Sequence, residues 1–242
     1  MSERRTRDAT SDEAYVLHTY AYRETSLLVE VYARSTGRTA LVARGARRPR
    51  SAMRGVLLAF QPLQLGWYGK GEVCTLTRAE WMGGQPLLHG EALLCGFYLN
   101  ELLLRLLPRD DPHETLFERY GEAMRGLASG AATGPVLRAF EKALLREIGY
   151  ALVLERDAAR GRSVDPAKTY TYDPERGPLE VSAAAQIELK LAGQTLIDIE
   201  RDDFSNGVTQ QQAKQLMRAL INHRLENQPL KSRRIFRELM EL

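Results

Sequence analysis

Cysteine is scarce in this chain of 242 residues, and long apolar runs are absent. The two cysteines, Cys74 and Cys95, form no C-x-x-C pair, which excludes a disulfide framework and a four-cysteine zinc site. The most apolar stretch, residues 92–107, includes polar and charged residues and is shorter than the ~20 residues of a membrane helix. Residues 1–13 lack the apolar segment of a secretory signal. We therefore expect a cytoplasmic protein without a membrane span, in which both thiols are reduced.

Motifs for nucleotide-driven and hydrolytic chemistry are also missing. The sequence has no G-x-x-x-x-G-K-[ST] phosphate loop, no dinucleotide-binding G-x-G-x-x-G and no G-x-S-x-G nucleophile turn. Its four histidines are scattered without metal-ligand spacing. Two acidic pairs, at residues 110–111 and 202–203, suggest a metal-dependent nuclease, but adjacent residues of a helix or strand do not face one point. We predict a protein that is not an enzyme and holds no metal or other cofactor.

Acidic residues are missing from one segment, residues 31–71. Since the chain has 31 acidic residues, a segment of this length would hold about five of them. The segment instead contains eight cations, of which seven are arginine. They are Arg34, Arg38, Arg44, Arg47, Arg48, Arg50, Arg54 and Lys70. The net charge of +3 therefore combines a strongly basic segment with an acidic remainder.

This basic segment predicts a nucleic-acid partner. Charge of one sign attracts polyanions, and the arginine fork fits phosphate oxygens. Four of the arginines lie in residues 44–50 (RGARRPR), where glycine and proline mark an irregular loop that can follow a phosphate backbone. The alternative is a merely solvated surface, but solubility does not require arginine in place of lysine. We assign all eight cations as candidate DNA contacts.

Residues 14–83 have the pattern of a small β-barrel. Short runs of β-branched and aromatic residues alternate with turn signals. Five strands in about 70 residues are typical of an oligonucleotide-binding (OB) fold, whose strand face and loops take single strands. The predicted strands are residues 14–20, 26–34, 39–44, 56–67 and 71–80. Four aromatic residues could stack on bases, although the barrel core is the preferred interpretation for each: Tyr32, Trp67, Tyr68 and Trp81.

From residue 84 the hydrophobic period changes from two to 3.6, which predicts a mainly α-helical domain over residues 84–242. The whole chain is thus an α+β protein, with residues 1–13 as a disordered polar tail and 14–83 as the barrel domain. An irregular loop insert is predicted at about residues 154–180, with a hairpin-like stretch at 169–173. The predicted helices are residues 91–107, 112–128, 136–148, 182–191, 209–224 and 232–242.

Four motifs, in their order and spacing, resemble those of the bacterial RecO family of DNA repair proteins. They are residues 22–28 (YRETSLL), 45–51 (GARRPRS), 97–102 (FYLNEL) and 229–233 (PLKSR). The tyrosine pair in residues 169–174 (TYTYDP) is a further match. The resemblance extends from about residue 14 to residue 240.

The resemblance implies more than the composition does. It implies an N-terminal OB fold, binding of single- and double-stranded DNA, and annealing of complementary strands without ATP. It also implies partnership with RecR and, through it, loading of RecA onto DNA coated by the single-strand-binding protein SSB, in the cytoplasm at the bacterial nucleoid. The alternative is a protein-interaction scaffold whose basic barrel is a docking surface for proteins rather than a DNA site.

The resemblance also suggests where the acidic tail of SSB binds. That tail ends in an apolar residue, so its receptor needs an apolar groove bordered by cations. Arg138 stands at the arginine of the L-R-x-F-E helix of RecO-like proteins and is the first candidate for the tail carboxylate. Lys231, in P-L-K-S-R, is the second candidate. The alternative for Arg138 is an exposed ion pair with Glu141, three residues on along the helix.

In one segment the sequence departs from the family pattern. Many relatives carry a cysteine cluster for zinc in the segment that corresponds to residues 154–173, and no cysteine occurs there in this chain. Asp157 stands near the position of the first cysteine. We therefore predict a zinc-less insert that packing and hydrogen bonds hold in place.

Overall fold

The computed structural model describes residues 9–150, 152–182 and 185–240. In chain order the elements are β1 (Ala9–Tyr22), β2 (Ser26–Ala33), β3 (Gly37–Ala43), α1 (Met53–Val56), β4 (Pro62–Tyr68), β5 (Val73–Trp81), α2 (Gly90–Leu106), α3 (Glu114–Ala128), α4 (Thr133–Glu147), β6 (Thr169–Asp173), β7 (Gly177–Val181), β8 (Leu191–Ala192), α5 (Gly193–Glu200), α6 (Gly207–Arg224) and α7 (Lys231–Met240).

The chain forms two compact units. Among the described residues, the first contains 9–131 and 230–240, and the second contains those between 132 and 229. The sequence analysis places a boundary at residues 83–84, where the barrel strands end. The units divide differently, because α2, α3 and α7 belong to the same compact unit as the barrel.

Five strands close into a barrel in the first unit, which confirms the predicted OB-like fold. The strand order is β1-β2-β3-β5-β4, and only the pair β3–β5 is parallel among these neighbours. Alternate residues of a strand point to the same face, so one side chain in two fills the interior. Val29, Val31, Leu41, Leu63 and Leu65 are fully buried there.

The first strand is longer than predicted. β1 begins at Ala9 because residues 9–15 pair with β4. Asp12, which is 7% exposed, accepts hydrogen bonds from the backbone N–H and the hydroxyl of Ser35. Residues 9–13, predicted as part of a disordered tail, are therefore strand, since their polar groups find partners. Residues 1–8 of that predicted tail lie outside the described residues.

The fourth strand is shorter than predicted. The predicted strand 56–67 is observed as β4 only from Pro62. The helix α1 ends at Val56, and Phe60 has a φ of 68°, in the left-handed region. Extended backbone cannot continue through that conformation, so the strand starts beyond it.

Helices α2 and α3 attach to the barrel through buried polar and aromatic groups. The Asn100 amide of α2 donates to the carbonyl of Leu17 at 2.9 Å and accepts from the Tyr120 hydroxyl at 2.6 Å. The Tyr15 ring of β1 lies 4.9 Å from the Tyr120 ring of α3, centroid to centroid. Buried polar groups need such partners, so this network specifies how the two helices lie on the barrel.

The loop between α2 and α3 packs against the turn between β2 and β3. The Asp110 N–H donates to the carbonyl of Arg38 at 3.0 Å. Gly37, the first residue of β3, has a φ of 73°, and a Cβ atom at this position would overlap the carbonyl of Asp111. Glycine is therefore required here by both its conformation and the close approach of the loop.

The second unit contains the predicted hairpin, but one of the predicted helices is not observed in it. β6 and β7 pair over the predicted hairpin, and β8 adds on the other side of β6. Residues 182–191, predicted as helix, are irregular over 182 and 185–190, and Leu191 pairs with Tyr170 as a strand. A helix, α5, begins only at Gly193, where a Cβ atom would overlap the carbonyl of Asp165.

Asp157 organises the cysteine-free insert. Its side chain is 4% exposed, and its carboxylate accepts from the backbone N–H groups of Ala159, Arg160 and Glu180 at 2.8–2.9 Å. Burial raises the pKa of this carboxyl, but the three backbone hydrogen bonds outweigh that effect, so its pKa lies below the ordinary value. One anionic acceptor thus joins the start of the insert to β7.

We expect Asp157→Asn to lower the free energy of unfolding by about 1.5–3 kcal/mol, because an amide nitrogen would face a backbone N–H donor. Because the pKa is depressed, this contribution is present above the unfolded-state pKa and is lost as the pH falls through the folded-state pKa. Urea unfolding at several pH values measures both effects. Asp165→Asn is the control, since that carboxylate is exposed and, among the residues that the structure describes, accepts a single N–H, that of Ala167. Equal effects of the two substitutions would contradict the organising role of Asp157.

Candidate nucleic-acid interface

The eight predicted DNA contacts separate into two groups in the first unit. Six of them are exposed: Arg44, Arg47, Arg48, Arg50, Arg54 and Lys70. The other two, Arg34 and Arg38, are partly buried and lie in ion pairs. Charge along the sequence does not distinguish the groups, because the carboxylates that neutralise the second group come from outside the basic segment.

Arg34 is surrounded by three carboxylates. Its guanidinium lies 3.0–3.2 Å from the carboxylates of Glu13 on β1 and of Glu114 and Glu118 on α3. Burial lowers the pKa of Arg34, but the hydrogen bonds to these acids outweigh that effect and raise it. Arg34 also lies over the Phe117 ring at 4.9 Å. Its charge is therefore neutralised, and it joins the barrel to α3.

Arg38 forms a second structural pair. Its side chain is 17% exposed and lies 3.8 Å from the buried carboxylate of Glu30, which also pairs with Arg109. Burial lowers the pKa of Arg38, and the nearby charge of Arg109 adds to that effect, while Glu30 opposes it. Two arginines thus share one acid where β2 and β3 meet the loop between α2 and α3.

The segment of residues 44–54 holds its exposed arginines on a fixed backbone. Ala46 is fully buried in the barrel core. On either side of it, the N–H of Arg47 donates to the carbonyl of Thr25 at 2.9 Å, and Gly45 has a φ of 70°. The Arg47 side chain then reaches the carbonyl of Arg23 at 3.3 Å. The loop is therefore anchored at Ala46 and Arg47, while its arginines remain exposed to solvent.

Two open clefts flank this anchored loop. The first has a volume of about 420 Å³, and its lining includes Tyr22, Arg23, Arg44, Arg48 and Thr75. The second has a volume of about 390 Å³ and is lined by Thr19, Leu27, Ala46, Arg47, Arg54 and Leu57. Five arginines thus line two concave surfaces on one part of the barrel. Such an arrangement suits a linear polyanion that passes over the loop.

The aromatic residues at this surface are not the four considered from the sequence. Tyr32 and Trp67 are buried, at 0% and 4% exposed, Tyr68 is half-buried, and Trp81 is exposed at the far end of β5. Sequence reasoning missed Tyr20, Tyr22 and Arg23. Their signal was the pair of tyrosines two residues apart next to a turn, which places both rings on one face of a strand.

Arg138 is not the exposed cation that the sequence suggests. It is 7% exposed, and its Nη2 and Nε atoms lie 2.6 Å from the two carboxylate oxygens of Glu141, which is 1% exposed. The predicted alternative, a pair with Glu141, is thus observed, but as a buried pair. Lys231 is exposed at the start of α7 and belongs to the other compact unit. The two residues are therefore separate candidates.

The acidic pair at residues 202–203, part of the nuclease hypothesis, makes structural contacts. Asp202 accepts from Lys142 at 3.0 Å, and Asp203 accepts from the N–H of Ser205. Within residues 9–150, 152–182 and 185–240, histidine, cysteine and acidic side chains form no group of three or more that could hold a metal ion.

None of the helices in those ranges combines the length and apolar character that crossing a membrane requires.

Comparison with known proteins assigns the family. The model described as "Recombination protein O N terminal" matches residues 8–85, and the model described as "Recombination protein O C terminal" matches residues 88–234. The chain belongs to the RecO family. The two matches divide between residues 85 and 88, after the last barrel strand, β5. The resemblance of the four short motifs to RecO is thereby confirmed.

Two curated RecO proteins are similar to the chain over almost their whole length. The chain is 56% identical to the DNA repair protein RecO of Azoarcus sp. (strain BH72) over 95% of this chain and 96% of the relative. It is 53% identical to the DNA repair protein RecO of Dechloromonas aromatica (strain RCB) over 96% of this chain and 97% of the relative. The exposed basic loop and the buried pair of Arg138 and Glu141 therefore belong to a chain of the RecO family, whose members are bacterial DNA repair and recombination proteins.

Proposed function

We propose that this RecO-family chain is a DNA repair mediator that binds single- and double-stranded DNA and anneals complementary strands without ATP. The observation that carries the proposal is the set of exposed cations on the barrel, five of which lie in the anchored segment 44–54. Arginines on an ordered backbone can meet successive phosphates, and each contact releases condensed counterions.

Annealing requires no covalent chemistry from the protein. Two complementary strands repel each other through their phosphates, and base pairing supplies the free energy once they meet. A surface that neutralises part of this charge and holds both strands raises their local concentration. This agrees with a chain in which neither a phosphate loop nor a described cluster of metal ligands is found.

We further propose that the chain acts with RecR to load RecA onto SSB-coated single strands. For the acidic tail of SSB we retain Arg138 and Lys231 as the candidate contacts, one in each compact unit. Arg138 already pairs with Glu141. A tail carboxylate must therefore either share the Arg138 guanidinium with Glu141 or displace Glu141 from it. Lys231 needs no such exchange, since its side chain is exposed.

The experiment that tests the proposal is annealing of two complementary fluorescent oligonucleotides without ATP or divalent metal. We expect the protein to accelerate annealing of bare strands and of strands coated with SSB, and to do so less as the salt concentration rises. A protein without any effect on bare strands that still binds RecR would contradict the proposal. That outcome would favour the scaffold alternative, in which the basic barrel binds proteins.

A further inference from the structure

The outer face of the barrel presents a row of side chains that crosses four strands. Tyr20 on β1 pairs with Leu28 on β2, Leu28 with Val42 on β3, and Val42 with Thr75 on β5. Directly paired residues point to the same face of a sheet. The neighbours of Leu28 and Val42 along their strands, such as Val29 and Leu41, fill the core, so this row faces outward.

Tyr22 extends this face toward the hairpin between β1 and β2. It pairs with Ser26, two residues along the strand from the pair of Tyr20 and Leu28, and so lies on the same face. Tyr20 is 47% exposed and Tyr22 is 36% exposed. Large aromatic rings that stay open to solvent on an ordered strand are available for contact with a ligand.

Neighbouring side chains orient both rings. The His18 ring lies 4.4 Å from the Tyr20 ring, centroid to centroid, in an edge-to-face arrangement. The Arg23 guanidinium lies over the Tyr22 ring at 5.3 Å from its centroid. Two tyrosines whose rings are already positioned lose little conformational entropy when a flat ligand stacks on them.

Phosphate-binding groups lie beside the same face. Tyr22 lines the cleft of about 420 Å³ together with Arg23, Arg44 and Arg48. The hairpin turn also contains Glu24, but the three arginines outnumber this single acid. An aromatic surface next to several arginines is the combination that holds the bases and the phosphates of a single strand.

We propose that Tyr20 and Tyr22 are a base-stacking platform that gives this site its preference for single-stranded over duplex nucleic acid. This inference rests on the proposed function and adds the residues that discriminate between the two forms of DNA. In a duplex, the faces of each base are covered by adjacent base pairs, so a ring cannot stack on them without opening the helix. The arginines serve both forms, because both present phosphates.

Fluorescence anisotropy tests the proposal with the full chain, a labelled oligothymidine and a labelled duplex of the same length. For the double variant Tyr20→Ala/Tyr22→Ala we expect affinity for the single strand to fall roughly tenfold or more, the effect of losing one or two stacked bases. Affinity for the duplex should change by less than about twofold, and the slope of log K against log salt should be unchanged. Tyr20→Phe/Tyr22→Phe keeps the rings and should bind like wild type.

Each other outcome has a distinct meaning. Loss of affinity for both forms by the same factor, or no loss for the single strand, overturns the stacking platform while the proposed function stands. A Phe variant as weak as the Ala variant overturns it too, since stacking does not need the hydroxyl. If the wild-type chain binds neither probe at any salt concentration, the proposed function itself fails.

Discussion

Replacing Arg47, Arg48 and Arg50 together by alanine should lower the affinity for DNA at about 0.1 M salt by roughly two to three orders of magnitude. The three side chains are exposed on a loop whose backbone is anchored by Ala46. Each phosphate that is left without its arginine retains nearly one counterion, whose release is worth close to a factor of ten at this salt concentration. The decrease should be the same for every DNA sequence, because phosphates carry no sequence information.

The salt dependence of binding distinguishes this explanation from unfolding. The slope of log K against log salt should become shallower by ~0.7–0.9 for each phosphate that the variant no longer neutralises. Arg201→Ala/Lys214→Ala/Arg218→Ala is the matched control, since it removes three exposed positive charges from the second unit. We expect this control to bind like wild type. An unchanged slope in the loop variant would remove these arginines from the DNA site.

Arg138→Ala should lower the free energy of unfolding by about 3–5 kcal/mol, because it removes the guanidinium that pairs with the buried carboxylate of Glu141. Glu141 is 1% exposed, so water cannot replace the guanidinium. Urea denaturation measures the decrease. Arg119→Ala is the control. It breaks the pair of Arg119 with Glu122, which has the same residue types and the same spacing as the pair of Arg138 with Glu141, but both of its side chains are about half exposed. Exposed pairs contribute less than about 1 kcal/mol.

The double variant Arg138→Met/Glu141→Leu separates stability from recognition of the SSB tail. Replacing both buried charges by apolar side chains of similar size is often neutral or stabilising, so this variant should unfold near the wild-type denaturant concentration. If it binds DNA normally but loses affinity for an acidic peptide that ends in an apolar residue, Arg138 contacts the tail. If it keeps that affinity, Arg138 has only a structural role and Lys231 remains as the candidate.

Much of the fold could be predicted from local patterns. The short apolar runs at residues 26–34 and 39–44, separated by a turn signal, predict β2 and β3 closely, and the 3.6-residue period predicts α2, α3, α4 and α6. The pattern failed where long-range partners decide the conformation. Residues 9–13 are strand because β4 pairs with them, and residues 185–190 are not helix although their composition allows one.

The positive charge of the candidate site could be predicted from the sequence, but the set of residues that form the site could not. Residues 31–71 hold the cations, yet Glu13, Glu114 and Glu118 come from outside that segment and neutralise Arg34. Tyr20 and Tyr22 also lie outside it, and the register of β1 with β2 brings them to the same part of the barrel.

By itself, the sequence determined the class of fold, the family and the acid-free basic loop, because these depend on residue types and on their spacing along the chain. The tertiary structure alone decided which cations remain available, which aromatic rings stay exposed and which carboxylate organises the insert. These properties depend on pairing between residues far apart in sequence, such as Arg34 with Glu118 and Asp157 with Glu180. Since burial and charge neutralisation arise only when such residues meet, no local pattern can report them.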